Sequence, residues 1–250
     1  MLTHPLVDRL KKLKLTGMAE ALLEQLQDST VSKLSFEDRL GLLVDREACL
    51  RANRLLQSRL RQAKLHFSQA SLEDINYSDK RKIDKRLIGH LATGDWLRQN
   101  QNLILTGATG TGKSWLACAF AHKVCLLGFR AQYWRVTRLL EELDLAKLDG
   151  RYKNIIKTLA RIDLLILDDW GMMKIQGHQQ QHLLDVLDDR YQKRSTLTTS
   201  QLPIKSWYEQ ISDQTFADAI LDRLLGQAQI LSLSGPSMRE KIEQSQEGEN

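Results

Sequence analysis

A chain of 250 residues with 42% apolar and 27% charged residues has enough apolar content for a full core, which excludes a disordered or low-complexity protein. Three sparse cysteines, Cys49, Cys118 and Cys125, argue against a disulfide framework and a cysteine zinc site, and no apolar run reaches the roughly 18 residues of a membrane span, so a cytoplasmic protein is expected. The net charge of +5 is confined to residues 1–90, with 17 Lys and Arg against 12 Asp and Glu, while the remainder carries 19 of each; a polyanionic partner or a solvated basic face would both account for it.

Taken in order, His4 to Gln27 reads as two short helices broken near Leu15-Thr16-Gly17, with Leu6, Leu10 and Leu13 on one apolar face and Met18, Leu22 and Leu26 on the next. Ser35 is placed to cap a long helix running to about Lys64, with Leu40, Leu43, Leu50, Leu55 and Leu60 as core contacts. Arg51, Arg54 and Arg61 fall on one face of it and are candidate DNA contacts. These helices make an all-α domain over residues 1–66, for DNA, partner or self contacts. Residues 67–79 read as a linker, and a basic helix spans Lys80 to Leu91.

Strands and helices then alternate: strands at Asn102–Thr106, Ala131–Trp134, Leu164–Leu167, Thr196–Thr199 and Gln229–Leu233, with helices from Trp115, Thr137, Tyr152, His178 and, capped by Asp213, up to Leu225. This predicts an α/β core over 80–238 with a five-stranded parallel sheet between helices. The polar stretch 239–250 is expected to be disordered.

The strand Asn102–Thr106 runs into Gly107-Ala108-Thr109-Gly110-Thr111-Gly112-Lys113-Ser114-Trp115, where a helix begins. This fits G-x-x-x-x-G-K-[ST] in the required strand–turn–helix context. Glycines let the backbone N–H groups face phosphate oxygens, and the helix N-terminus adds partial positive charge. Lys113 is placed for the β- and γ-phosphates and Ser114 for Mg²⁺, so ATP with magnesium is the expected ligand; no N-K-x-D follows to read guanine.

Asp168 and Asp169 come after the apolar strand Leu164–Leu167, at the carboxyl end where open α/β sheets bind ligands. Asp168 is the candidate magnesium partner, and Asp169 the residue that positions or deprotonates the attacking water. In Thr198-Thr199-Ser200-Gln201 a polar side chain can reach the γ-phosphate; Gln201 is the leading candidate, with Ser200 and Thr199 as alternatives. Arg223 can point into a neighbouring copy's site and stabilise charge there.

Gly107–Ser114, Leu164–Gly171, Thr196–Pro203, Leu221–Arg223 and Leu233–Arg239 together resemble the IstB/DnaC branch of the AAA+ ATPases, and the N-terminal helices with Leu60–Phe67 resemble IstB, the transposition helper. The resemblance covers nearly the whole chain. It implies ATP binding between subunits, assembly into homo-oligomers on duplex DNA, deformation of that DNA, and its delivery to a cognate transposase, which is stimulated. It also implies that Lys147, Arg151, Lys153 and Lys157 lie on a helical insert along the DNA path. Such phosphate contacts would be salt-dependent and indifferent to base sequence. A DnaC-type helicase loader that binds single strands is the alternative. Asp169 stands where many relatives carry Glu, and Gln201 where many carry Asn; Arg239 is a candidate second sensor.

Overall fold

The structure is a computed structural model that describes residues 4–28, 30–77 and 83–238. Arg239 and the stretch 239–250 lie outside these residues, as does the expected helix start at Lys80. The chain divides into two compact units, 1–58 and 59–250.

The first unit holds α1 (Pro5–Lys12), α2 (Thr16–Gln27) and most of α3 (Phe36–Ala63). Each start has a local cause. His4 accepts the Leu6 N–H at the head of α1, and the Ser35 hydroxyl accepts the Asp38 N–H at the head of α3. Helix α2 lacks a cap of its own, and Glu47 of α3 supplies one, accepting from the N–H groups of Gly17 at 2.7 Å and Met18 at 3.2 Å. Gly17 permits this approach, since a Cβ there would lie 2.8 Å from the Glu47 Cα. The leucine faces expected to form this core are covered only in part, with Leu10, Met18, Leu22, Leu43 and Leu50 half-buried. Leu6, Leu13, Leu26, Leu40 and Leu55 are each at least 40% exposed, while Val7, Ala19 and Ala21 are buried. Small residues set the contact where the backbone of α2 meets Glu47, and leucines do not fit so close an approach.

In the second unit, α4 (Lys85–Ala92) and α5 (Asp95–Arg98) lead to β1 (Asn102–Gly107). Then follow α6 (Lys113–Leu126), β2 (Ala131–Arg135), α7 (Val136–Leu148), α8 (Tyr152–Ala160), β3 (Leu164–Trp170), α9 (His178–Arg190), β4 (Ser195–Ser200), α10 (Gln214–Leu225) and β5 (Ala228–Leu233). The strands form one parallel sheet in the order β2-β3-β4-β1-β5. Leu103, Leu105, Leu164 to Leu167 and Leu197 are wholly buried, as expected of strands covered on both faces.

Two differences from the sequence expectation matter. The stretch read as a linker starts within the second unit, and Ala70, Leu72 and Ile75 are buried there. Strand β3 continues through Asp168 and Asp169 to Trp170, with a register irregularity after Leu167, so the two acids lie in a bulge within the strand.

The amino edge of the sheet is fastened by two buried polar residues. Arg190 donates to the carbonyls of Leu159, Ile162 and Ser195. Asn102 accepts the Thr196 N–H at 2.8 Å and donates to the carbonyls of Arg223 at 2.8 Å and Leu224 at 3.1 Å. Together they join β1, β4, α8 and α10.

Candidate functional site

Strand order brings the site together. Strand β4 lies between β1 and β3, so the loop after β1, the end of β4 and the acids of β3 share the carboxyl edge of the sheet. Thr106 and Trp170 both pair with Ser200, which fixes the three strand ends in register. From β1 to β3 is two strand spacings, roughly 10 Å.

The loop from Gly107 to Gly112 is built on backbone that side chains rarely adopt, with φ of 149° at Gly107, 81° at Gly110 and 88° at Gly112. A Cβ on Gly110 would fall 2.3 Å from the Ser237 hydroxyl, and the Met238 N–H donates to the Gly110 carbonyl at 2.9 Å. The segment after β5 therefore lies directly on this loop. Ala108 and Thr109 are exposed, and the Thr111 hydroxyl donates to the Ala108 carbonyl at 2.8 Å. Lys113 is buried, and its ammonium donates to the carbonyls of Gly107 and Ala108, each at 2.8 Å. Those acceptors hold the charge within the loop, beside the N-terminus of α6. Ser114 and Trp115 fill the first turn of α6, half-buried.

Asp168 is 1% exposed, and both carboxylate oxygens have donors: Thr199 on Oδ1 and Tyr133 on Oδ2. Burial, and next the Asp168 carboxylate, push the Tyr133 hydroxyl up, so it remains a donor. Asp169 has a φ of 62°, uncommon for a residue with a Cβ, and its N–H donates to the Thr199 hydroxyl at 3.1 Å. Thr199 thus fixes both acids. Burial is the main cause that raises the Asp169 carboxyl above the usual range, and Asp168 adds to it; Arg135, whose Nε lies 3.7 Å away, and Lys113 oppose it. Gln201 accepts from the Thr109 hydroxyl at 2.6 Å, which ties the end of β4 to the phosphate loop.

The oxygen donors of Ser114 and Asp168 are the hard kind that magnesium takes, and two hydroxyls fix the orientation of the Asp168 carboxyl group.

Arg223 is not at this edge. Its carbonyl is held by Asn102, the first residue of β1, and its guanidinium pairs with Asp188 at 2.6 Å and lies over the Tyr191 ring. Of the predicted DNA contacts, Lys147, Lys153 and Lys157 are exposed on α7 and α8. Arg151 is exposed too, but bonds Asp149 at 2.7 Å and Glu142 at 2.9 Å. Arg51 and Arg54 are exposed in the first unit, with Arg51 paired to Glu47, and Arg61 is exposed in the second. Sequence reasoning missed Tyr133, Arg135 and Asn102. No motif marks them, because their partners come from other strands and helices.

A parallel sheet of this order, with a G-x-x-x-x-G-K-S loop at one strand end and an acid pair two strands away, defines a P-loop nucleotide-binding protein of the AAA+ type. The family model described as IstB-like ATP binding protein matches residues 8–246, and the chain belongs to that family. The insertion-sequence relative y4pL of Sinorhizobium fredii is 46% identical over 239 residues, covering 96% of this chain and 97% of that protein. Among solved structures, the crystal structure of DnaI has a TM-score of 0.56 at 20% identity, covering 68% of this chain and 90% of that one. AMPPCP-bound DnaA from Aquifex aeolicus has a TM-score of 0.54 at 20% identity, covering 72% and 55%. These two likenesses concern the fold. Among the described residues, no helix is long and apolar enough to cross a membrane.

Proposed function

We propose that this protein is an ATP-hydrolysing helper of transposition that assembles with its own copies on duplex DNA, deforms it and presents it as target to a transposase, which it stimulates. The observation that carries the reading is the shared sheet edge, where Lys113, Ser114, Asp168 and Asp169 converge in a chain whose relatives are proteins of insertion sequences.

The residues divide the work. Backbone N–H groups of Gly107 to Ser114 hold the phosphates, and Lys113 exchanges its carbonyl partners for phosphate oxygens. Ser114 and Asp168 hold Mg²⁺, which supplies charge neutralisation on the triphosphate when bound. Asp169 orients the attacking water and takes its proton, for which a raised carboxyl is suited. Gln201 follows the γ-phosphate through Thr109. Arg223 reaches the nucleotide of a neighbouring copy, because it stands at the far edge from its own. The exposed Lys147, Lys153 and Lys157 supply phosphate contacts to DNA. Exposed Leu13, Leu26, Phe36, Leu42 and Val44 in the first unit support contacts with other copies or with the transposase.

The test is binding of the full chain to random duplex and to single strands, with a non-hydrolysable ATP analogue, over a range of salt, with sedimentation to size the complex. Large assemblies on duplex, weakening steeply with salt and indifferent to sequence, are expected. A chain that stays solitary with nucleotide and duplex overturns the reading; preference for single strands moves it to the helicase-loader class.

A further inference from the structure

Away from the nucleotide edge, Asp144 on α7 meets His178 and His182 on α9. The two histidines are four residues apart and so share one helix face. The His178 Nε2 lies 3.0 Å from the Asp144 Oδ1, and the His182 Nε2 lies 3.3 Å from the same oxygen. One ligand atom from each residue falls within 4.8 Å of the other two.

The hydrogen bonds around His182 define what this triad lacks. The Tyr152 hydroxyl has one proton and lies 2.7 Å from the Asp185 carboxylate, which can only accept it. The Tyr152 oxygen then accepts from the His182 Nδ1 at 3.0 Å, so the ring proton sits on Nδ1. That leaves a lone pair on Nε2, which is buried, has no hydrogen-bond partner and faces the Asp144 Oδ1 that His178 also approaches. The His182 side chain is 4% exposed, so water does not readily relieve it. Two facing lone pairs repel unless a proton or a metal cation lies between them. Gln179 donates to the second Asp144 oxygen at 3.2 Å and holds the carboxylate in place.

We propose that Asp144, His178 and His182 form a binding site for a divalent cation of the zinc class, with a fourth position open to water. Tetrahedral zinc with bonds of about 2.0–2.1 Å has ligand–ligand edges of about 3.3 Å, close to the two spacings observed. Two imidazoles with one carboxylate suit zinc or cobalt and not magnesium, which takes oxygen. The Asp185–Tyr152–His182 relay is the kind of outer support that fixes a ligating imidazole. The ion would pin α7, which also carries Lys147, to α9. The site is independent of the nucleotide reading.

The test uses the full chain freed of metal by a chelator that is then removed. Zinc titration by calorimetry should give one site per chain, and cobalt should give visible bands of nitrogen and oxygen ligation. Zinc should raise the melting temperature of the wild type. His178→Ala, at a mostly exposed position that tolerates truncation, should abolish both effects, and Tyr152→Phe should weaken affinity roughly tenfold or more. No stoichiometric binding overturns the proposal, and so does binding that survives both His178→Ala and Asp144→Asn. A cobalt spectrum with thiolate bands that disappears in Cys49→Ser, the exposed cysteine, would assign the ion elsewhere and overturn it too.

Discussion

The hydroxyl of Thr199, on β4, donates to the Asp168 carboxylate on β3, across the strand boundary where the two halves of the nucleotide site meet. The same oxygen accepts the Asp169 N–H. Thr199→Val keeps the shape and removes both bonds. It should lower stability by about 1–3 kcal/mol, since it leaves buried polar groups unpaired, and should reduce ATP turnover. Urea denaturation of Thr199→Val beside Thr199→Ser is the measurement; serine should retain most of the stability, and equal loss in both would refute the hydroxyl's part.

Asp169 provides a pH signature. Its carboxyl is raised in the folded chain, mainly by burial, so between the unfolded and folded pKa values the native state binds the extra proton. Stability contributed by this group therefore falls as pH rises through that window, and the penalty is complete above it. Asp169→Asn should be more stable than wild type near pH 7 and lose that advantage below about pH 4, the ordinary range for Asp. Asparagine also accepts the positive φ. Nucleotide affinity should persist while turnover disappears. Denaturation at the two pH values and a phosphate-release assay check both arms.

How much of this was legible beforehand follows from where each signal resides. The phosphate loop is contiguous, so Gly107 to Ser114 could be read without the fold. Alternation of apolar runs with amphipathic stretches gave the sheet and its flanking helices to within a few residues. Partnership across the sheet was not legible, because Tyr133 reaches Asp168 only through the pairing of β2 with β3. The leucine periodicity of the first unit was legible only in part, since Leu10, Leu22, Leu43 and Leu50 are half-buried while Leu6, Leu13, Leu26, Leu40 and Leu55 are exposed. Spacing reports which residues share a face, and here Gly17, Ala19 and Ala21 decide which face is covered.

Arg223→Ala removes the pair with Asp188 and, on the proposed assignment, the cation offered to a neighbour. ATP binding should be unchanged and turnover lost. Mixing Arg223→Ala with Asp169→Asn chains should restore part of the activity, because some interfaces then combine an intact acid with an intact arginine. Unchanged turnover in the single variant would exclude the role.

Gly110→Ala puts a Cβ at a φ of 81° and against the Ser237 hydroxyl. The left-handed penalty alone is about 1–2 kcal/mol, equivalent to roughly tenfold in an equilibrium. Nucleotide affinity should fall at least that much. Ser237→Gly should not rescue it, because the backbone strain remains; full rescue would show that the overlying segment, and not the loop geometry, sets the cost.

Asn102 and Gly107 are the two ends of a single strand, six residues long and roughly 20 Å from end to end. On the proposed reading, one end would seat the subunit's own triphosphate, and the other holds, through Asn102, the carbonyl of the arginine proposed to serve the adjoining subunit. On that assignment, complementary patches at opposite ends of one rigid element would let each copy face the next head to tail. Such a row would close on itself or run on as a spiral, and in a spiral the terminal nucleotide would wait for one more arginine.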